Sequence, residues 1–394
     1  MKQPMGPPVS SAGVRGGAEA FSPSAEQNVT KRPAGAVDRR TAAASEATRA
    51  STAPRGTFYL GSAVVLGRQD RTMSARVWIC MFAIGCLLFD GALRAADPSR
   101  GEMHPIHTTT LTDEQFLAGV KEGTPTTLAG ELRFPAGSTN RDRVGVIVLV
   151  HGSGGIGPGL YQWAREFNDL GLATFMLDGF TGRGVTSTRE EQGQLGMLSM
   201  LVDAYRVLDL LANHPRIDAK RIGILGGSRG AQPALFTALR RFHRLHGPAD
   251  AEFAAHFVFY PNCVTTFIDE LDTLDHPIRI FHGGADEAAA TCAPYAERLK
   301  KAGKDVEFME FPGLHHAFAE PVGRVVISQA QGRRNCRLEE RAGGAIINLA
   351  TGQPFTWKDT CVSRGDVTFE SNAAARAQTV AAIRAVLVRN FQVK

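Results

Sequence analysis

The sequence predicts an α/β fold: a mostly parallel central sheet flanked by helices, with a polar insertion before the last helix. Beyond about residue 105, short apolar runs alternate with longer segments of helical periodicity, which is typical of βαβ units. Several apolar runs are rich in β-branched residues, as strands buried on both faces require. An apolar fraction of 43% with 22 Phe is enough for a large core.

Seven strands and five helices are expected in this part of the chain. The predicted strands are 128–134, 145–150, 173–177, 222–225, 254–260, 278–282 and 306–311. The predicted helices are 160–170, 197–213, 231–243, 293–302 and 372–390. Between residues 321 and 371 the alternation stops, and about fifty polar, Gly-rich residues form the insertion. Loops of this length are uncommon unless they cover a site, so a lid and a surface decoration both remain open.

The positive charge is confined to the beginning of the chain. The formal net charge is +5; residues 1–72 contain 10 Lys and Arg against 5 Asp and Glu, whereas residues 73–394 contain 34 of each. The part expected to fold is therefore neutral and offers no basic surface for nucleic acid. Residues 1–53 lack periodic apolar positions and are expected to be disordered. A nucleic-acid-binding tail is the alternative, but its basic pairs are short and lack interleaved aromatic residues.

Residues 73–96 have the layout of a secretory signal peptide. A basic start precedes an apolar run at 77–89 and a small-residue segment that ends at Ala96. The run would span only about 20 Å as a helix, too short to cross a bilayer. We expect cleavage after Ala95 or Ala96, export to the periplasm or the medium, and no stable membrane span. Translation is then expected to start near Met73, with residues 1–72 either untranslated or a disordered tail.

Cysteine usage agrees with export. Cys80 and Cys86 lie in the apolar segment, and four cysteines remain: Cys263, Cys292, Cys336 and Cys361. Four cysteines allow three pairings. We expect Cys263 to pair with Cys292 and Cys336 with Cys361, each bridge closing a loop of about 25 to 30 residues and contributing about 3 kcal/mol. Four reduced core thiols are the alternative, and no CxxC pair indicates a metal site.

The first glycine cluster has two interpretations. The strand at 145–150 runs into His151-Gly-Ser-Gly-Gly-Ile-Gly157, which contains the spacing GxGxxG. An NAD-dependent oxidoreductase would bind its dinucleotide over Gly152 to Gly157 and place Asp178 on the ribose. Pro158 argues against this, because it offers no N–H where the phosphate-binding helix should begin. The other interpretation is a loop whose backbone N–H groups stabilise an oxyanion.

A second glycine cluster favours the oxyanion interpretation. Gly226-Gly-Ser228-Arg-Gly230 is a GxSxG segment between a predicted strand and a predicted helix, the context in which this motif presents a nucleophilic serine. The hydrolase then needs an acid and a histidine downstream, in that order. Asp286 and His316 follow the ends of two later strands and fit these roles, with Glu287 and His315 as adjacent alternatives.

These segments together resemble the dienelactone hydrolase family of the α/β-hydrolase superfamily, over about residues 120–318 and the last helix. The matching segments are 151–155, 178–184, 226–230, 259–263, 283–286 and 312–318. The resemblance implies Ser228 as nucleophile, Asp286 and His316 as the rest of the triad, and the N–H groups of Ser153 and Arg229 as oxyanion donors. The family's namesake uses a cysteine nucleophile, so the serine favours a general carboxylic-ester hydrolase.

The sequence therefore predicts a domain over residues 105–394 that cleaves an ester or lactone of a small molecule through an acyl-enzyme, without cofactor or metal. Arg183 is a hypothetical binder of a substrate carboxylate; the alternative is that it fixes its loop by hydrogen bonds to backbone carbonyls. Tyr260 and Phe318 are expected to form pocket wall. A non-catalytic binding protein on the same fold is the alternative, but it would not explain why Ser228, Asp286 and His316 occur together. Peptidase and acyltransferase activities would use the same residues, and oligomeric state is not predicted.

Overall fold

The computed structural model of the protein describes residues 101–393. The strands are β1 (Gly101–Thr110), β2 (Thr124–Arg133), β3 (Val144–Val150), β4 (Ala173–Asp178), β5 (Ile217–Gly227), β6 (Ala255–Phe259), β7 (Thr265–Thr266), β8 (Ile278–Gly283), β9 (Val306–Phe311), β10 (Val325–Gly332), β11 (Leu338–Glu340), β12 (Ile346–Asn348), β13 (Gln353–Pro354) and β14 (Ser363–Phe369). The helices are α1 (Asp113–Leu117), α2 (Pro158–Asp169), α3 (Ser199–Ala212), α4 (Ala231–Phe236), α5 (Arg240–His246), α6 (Ala293–Lys301) and α7 (Ala373–Phe391). The expectations for residues 1–72 and for the signal peptide at 73–96 lie outside the described residues.

Eight strands form the central sheet, in the order β1-β2-β4-β3-β5-β6-β8-β9. The six strands from β4 to β9 in this order are parallel, whereas β1 and β2 join antiparallel at one edge. All seven predicted strands are present in this sheet, which confirms the predicted α/β class. The strand order reverses at β3, because β4 lies on one side of it and β5 on the other. A crevice at the carboxyl ends of the strands is the usual ligand site at such a point.

The apolar core lies on both faces of this sheet. In β3, the side chains of Val146, Val148 and Val150 pack into one apolar layer, and those of Ile147 and Leu149 pack into the other. All five side chains are fully buried. Helix α3 covers the first face, and α2 and α7 cover the second. The alternation explains why the sequence of β3 is apolar throughout.

The helix predicted at 231–243 is two helices, and this part of the prediction is wrong. Helix α4 ends at Phe236 and α5 begins at Arg240, because Leu239 adopts an extended conformation and pairs with Thr273 in an isolated β-bridge. The hydroxyl of Thr237 bonds back to the carbonyl of Pro233 at 2.7 Å as α4 ends. Apolar residues continue through the break and are buried there, so the helical pattern in the sequence continues where the helix does not.

The insertion at 321–371 is folded. Strands β10 and β14 form an antiparallel pair, and β11, β12 and β13 form a second small sheet together with β7, in the order β13-β12-β11-β7. Both predicted disulfides are present. Cys336–Cys361 lies within the insertion, and Cys263–Cys292 joins the loop after β6 to the start of α6. None of the helices within residues 101–393 has the length and apolarity needed to cross a bilayer.

Candidate active site

Ser228 lies at a sharp turn between β5 and α4. Its φ of 57° is in the left-handed region, which side-chain-bearing residues seldom adopt. The turn needs the two glycines of the motif: a Cβ on Gly226 would lie 2.0 Å from the carbonyl oxygen of Gly230, and a Cβ on Gly230 would lie 2.3 Å from that of Val150. The motif thus brings the β5–α4 turn close to the end of β3 and presents Ser228 at the carboxyl edge of the sheet.

Asp286 and His316 follow β8 and β9 and form a buried pair. The Nδ1 of His316 lies 2.7 Å from Oδ2 of Asp286, and the two side chains are 2% and 1% exposed. The other carboxylate oxygen, Oδ1, accepts the backbone N–H groups of Ala288 and Ala289, at 2.7 and 2.9 Å. Burial by itself raises the pKa of Asp286, but the imidazoles of His316 and His282 and the N–H of Ala289 outweigh it and lower the pKa below 3.8. Asp286 is therefore an ionised acceptor.

The pairing leaves the outer nitrogen of His316 available. Because Asp286 accepts a hydrogen bond, the proton of the neutral ring lies on Nδ1, and Nε2 carries the lone pair. Within the described residues Nε2 is buried and has no hydrogen-bond partner. His316 and Ser228 line the same cavity. This arrangement is suited to a base that removes a proton from a hydroxyl group in the cavity.

The adjacent alternatives, Glu287 and His315, contact each other instead. Oε1 of Glu287 lies 2.9 Å from Nδ1 of His315, and the side chains are 35% and 24% exposed. Only Glu287 of this pair is among the described residues that line the cavity. Ser228 thus shares the cavity with His316 of the buried pair, whereas His315 of the more exposed pair is not among its described lining residues.

The loop after β3 lies against the serine turn. A Cβ on Gly152 would be 3.2 Å from the carbonyl oxygen of Gly227 and 3.4 Å from the Cβ of Ser228. The carbonyl of Ser153 accepts the N–H of Thr188 at 2.8 Å, and no backbone partner for the Ser153 N–H occurs in the described part of the chain. Ser153 and Arg229, the two expected oxyanion donors, line a common recess beside Ser228.

The dinucleotide interpretation finds little support in this loop. Helix α2 does begin directly after it, with Gly157 as N-cap, but its first residue is Pro158, which has no N–H to offer a phosphate. The carboxylate of Asp178 is engaged by its own turn, accepting the N–H groups of Phe180 and Thr181 at 2.9 and 3.0 Å. The acid expected to bind a ribose hydroxyl therefore caps a turn.

The cavity beside Ser228 has a volume of about 540 Å³. Apolar side chains of the main domain line part of it: Leu160, Trp163, Leu225, Phe259 and Tyr260. The insertion contributes Val322, Ile327, Val367 and Phe369. The Phe369 ring lies 5.3 Å from the His316 ring, and the two residues also form a backbone bridge. The insertion therefore forms one wall of the cavity.

The two aromatic residues expected at the substrate pocket differ in whether they reach the cavity. Tyr260 lines the cavity and, like Ser228 and Ala317, has a positive φ, of 42°. The expectation that Phe318 also forms pocket wall needs correction, because Phe318 is fully buried behind Tyr260, with ring centroids 5.7 Å apart, and is not among the described lining residues. The φ of Ala317 is 59°. Ser228, Tyr260 and Ala317 are therefore three residues with strained backbones in turns at the carboxyl edge of the sheet.

The expectation that Arg183 binds a substrate carboxylate needs correction. Its guanidinium makes a bidentate ion pair with buried Asp203, at 2.8 and 2.9 Å, and donates to Thr110 Oγ1 and the carbonyl oxygen of Gly179. Its side chain is 5% exposed and is not among the described residues at the cavity. The alternative interpretation, a loop-fixing role, agrees with these contacts. The sequence does not indicate that Asp203 is the partner of Arg183, because Asp203 lies between apolar residues of helix α3.

Two cavity residues have no signal in the sequence. Glu320 lies four residues after His316, and its carboxylate accepts the Tyr260 hydroxyl at 2.9 Å. Burial raises the pKa of Glu320 above 4.5, although the hydrogen bond from Tyr260 opposes this. Gln192 lies in a short 3₁₀ turn before α3, among several polar residues from which no pattern distinguishes it.

One cluster of metal-ligand side chains occurs in the described residues: Glu102, His104 and His214, with donor atoms within 4.8 Å of one another. The Nδ1 of His214 accepts the N–H of Arg216 at 3.2 Å, which places the ring proton on Nε2. That nitrogen faces Oε2 of Glu102 at 3.3 Å as a donor, and Arg216 lies 3.8 Å from the same carboxylate. Hydrogen bonds and an ion pair thus already join these side chains to one another and to Arg216.

The order of the parallel strands, and a serine at a strand–turn–helix junction that shares a cavity with His316 of the buried Asp–His pair, are features of the α/β class of hydrolases. A family model described as the dienelactone hydrolase family matches residues 134–340. This is more than half of the sequence, and the chain belongs to the dienelactone hydrolase family. It is a hydrolase that acts on ester bonds. The family resemblance inferred from the sequence is thereby confirmed.

No curated protein matches the sequence significantly. Among solved structures, the chain is similar to a thermophilic esterase of Thermogutta terrifontis with propionate bound, at 20% identity over 49% of this chain and 81% of that one, with a TM-score of 0.41. It is also similar to a dienelactone hydrolase-like promiscuous phosphotriesterase from metagenomic libraries, at 14% identity over 74% and 99% of the two chains, with a TM-score of 0.47.

Proposed function

We propose that the domain at residues 105–394 is a serine hydrolase that cleaves a carboxylic ester or lactone through an acyl-enzyme intermediate. Ser228 is the nucleophile, His316 the base and Asp286 the residue that fixes the imidazole. The observation that carries this proposal is the free Nε2 of a histidine whose Nδ1 is held by a buried carboxylate 2.7 Å away, in the cavity that Ser228 also lines.

The proposed reaction has two steps. Nε2 of His316 accepts the hydroxyl proton as Ser228 attacks the ester carbonyl, and the same proton then passes to the departing alcohol. A water molecule, activated by the same nitrogen, hydrolyses the acyl-serine. The N–H groups of Ser153 and Arg229 stabilise the oxyanion formed in each step, which is usually the largest electrostatic contribution in such sites. For a lactone, acid and alcohol are released as one molecule.

The cavity also limits the substrate. A volume of about 540 Å³ with walls of Leu160, Trp163 and Val367 favours a small ester with an apolar group over a polymer. We also propose that the insertion at 321–371 acts as a lid, since its residues form one wall of this cavity.

Reaction with a fluorophosphonate probe tests the nucleophile. The probe should label the wild-type protein and the Ser363→Ala variant, which replaces another serine at the cavity wall, but not Ser228→Ala. Hydrolysis of a short-chain aryl ester should follow the same pattern. Labelling or turnover by Ser228→Ala would refute the mechanism, and nicotinamide binding in a fluorescence titration would revive the oxidoreductase interpretation.

We further propose that the protein is exported after cleavage of the segment at 73–96. The two disulfides support this, because such bridges form and persist in oxidising compartments. N-terminal sequencing of the protein recovered outside the cytoplasm should begin at Ala96 or Asp97. A mature chain that retains residues 1–72 would contradict both the export signal and the expected start at Met73.

A further inference from the structure

Gln192 lies between the two residues that supply the proposed oxyanion donors. Its Nε2 donates to the hydroxyl of Ser153 at 3.0 Å. Its Oε1 accepts a hydrogen bond from Nη1 of Arg229 at 2.9 Å. One side chain therefore joins the loop after β3 to the turn after β5, and these are the two backbone segments whose N–H groups would hold the oxyanion.

The guanidinium of Arg229 is committed to the segment that contains Gln192. Arg229 is 2% exposed. It donates to the backbone carbonyl of Gln192 at 3.1 Å, to that of Gly196 at 3.1 Å, and to that of Leu195. Burial lowers the pKa of Arg229 to about 10, so the side chain stays charged at neutral pH. A buried cation held by several fixed carbonyls restricts the backbone of its own residue, which follows the nucleophile.

Gln192 also connects this group to the insertion. Its backbone N–H donates to Oε1 of Gln331, on β10, at 2.7 Å. The N–H of Gln331 in turn donates to the carbonyl of Arg189 at 2.8 Å. Gln192 is thus held from the insertion side by its backbone and contacts Ser153 and Arg229 with its side chain.

We infer that Gln192 is a positioning residue that holds the N–H groups of Ser153 and Arg229 at the spacing the oxyanion requires. This inference rests on the proposed serine-hydrolase function. Donors of this kind must lie within a few tenths of an ångström of their productive positions, and loss of one donor typically lowers kcat about 10²–10³-fold. The Gln192 side chain contacts the side chains of the two donor residues. Its loss would loosen both N–H donors without removing either, so the expected loss in kcat is smaller.

Two substitutions of Gln192 separate hydrogen bonding from packing. Gln192→Met keeps the length of the side chain and removes its hydrogen bonds, and Gln192→Ala removes both. We expect both variants to lose about 10- to 100-fold in kcat on an aryl ester, with KM within about threefold of the wild type. Gln194→Ala, an exposed glutamine of the same turn, is the matched control and should keep wild-type kinetics.

Ser153→Ala tests the connection from the other side, because it removes the hydroxyl that Gln192 contacts and keeps the N–H. The double variant Ser153→Ala with Gln192→Met should be no slower than the slower single variant. Additive losses would overturn the inference, as would a Gln192→Met variant with wild-type kcat. A raised KM at unchanged kcat would instead make Gln192 a substrate contact and also overturn it.

These outcomes are distinct from failure of the proposed function. If Ser228→Ala abolishes turnover and fluorophosphonate labelling while Gln192→Met has no effect, only the role of Gln192 is refuted. Thermal unfolding of each variant, followed by circular dichroism, establishes that kcat is compared between folded proteins. If both Gln192 variants fail to fold, Ser153→Ala alone decides: an unchanged kcat overturns the inference, and a loss of about tenfold or more at unchanged KM supports it.

Discussion

His256 should make the stability of the protein fall as the pH is lowered from 6.5 to 4. This histidine lies on β6, between β5 and β8, and is fully buried. Its Nδ1–H donates to the carbonyl of Ala234 at 2.9 Å, and Nε2 is buried without a partner among the described residues. Burial lowers the pKa of His256 from 6.5 to about 4.

The pKa values of His256 in the folded and unfolded chains set the direction and the size of this change in the free energy of unfolding. The unfolded chain binds a proton at His256 near pH 6.5, and the folded chain binds it only near pH 4. Protons therefore favour the unfolded state as the pH falls below 6.5, and the free energy of unfolding decreases from its full value. At 1.36 kcal/mol per pKa unit, the loss reaches about 2 kcal/mol at pH 5 and about 3 kcal/mol at pH 4.

Urea unfolding at several pH values, with and without His256→Asn, measures this contribution. Asparagine keeps an N–H near the Nδ1 position but does not titrate, so the variant should lose less stability between pH 7 and pH 4 by about 2–3 kcal/mol. The comparison concerns the change with pH, so a constant cost of the substitution cancels. His107→Asn, an exposed histidine on β1, should keep the wild-type dependence. Equal pH dependence of His256→Asn and the wild type would refute the reasoning.

Three further predictions concern the site and the insertion. Asp286→Asn should lower kcat on an aryl ester by about 10³–10⁴-fold, because the amide donates to Nδ1 and moves the ring proton to Nε2; a loss below tenfold would contradict the assignment. Replacing Cys336 and Cys361 by serine should lower the free energy of unfolding in urea by about 3 kcal/mol, since the bridge closes a loop of 25 residues, and an unchanged midpoint would contradict this. The free energy of unfolding of Glu320→Gln in urea should rise relative to that of the wild type as the pH increases from 4 to 8. The reason is that burial raises the pKa of Glu320, so its ionisation destabilises the folded wild-type protein. A difference between the two proteins that does not vary with pH would contradict this prediction.

The sequence predicted the parallel part of the sheet well, for a physical reason. Strands such as β3 are buried on both faces, and their composition alone reports that environment. Strand β1 was missed because it is an edge strand paired only with β2 and is half exposed, so its side chains carry no continuous apolar signal. The insertion was seen only as an absence of pattern, since its short strands depend on one another and on a disulfide rather than on apolar periodicity.

At the site, the sequence predicted where three candidate residues would lie, because the ends of parallel strands meet at one edge of the sheet. Ser228, Asp286 and His316 each follow a strand, and the structure brings them to one edge of the sheet. For Arg183, the sequence left a substrate carboxylate and a loop-fixing role both open, because it carries no information about the buried Asp203 with which Arg183 pairs. Gln192 was missed because its contacts join segments that lie far apart in the chain.

The positive φ angles of Ser228, Tyr260 and Ala317 store strain at this edge of the sheet, and at Ser228 the strain sets stability against the proposed activity. Each backbone conformation of this kind costs about 1–3 kcal/mol that glycine would largely avoid. Glycine at position 228 would therefore relieve strain and remove the proposed nucleophile in one step. Directed evolution of this protein for thermal resistance alone would therefore favour an inactive variant at position 228, so such a screen has to include turnover among its criteria.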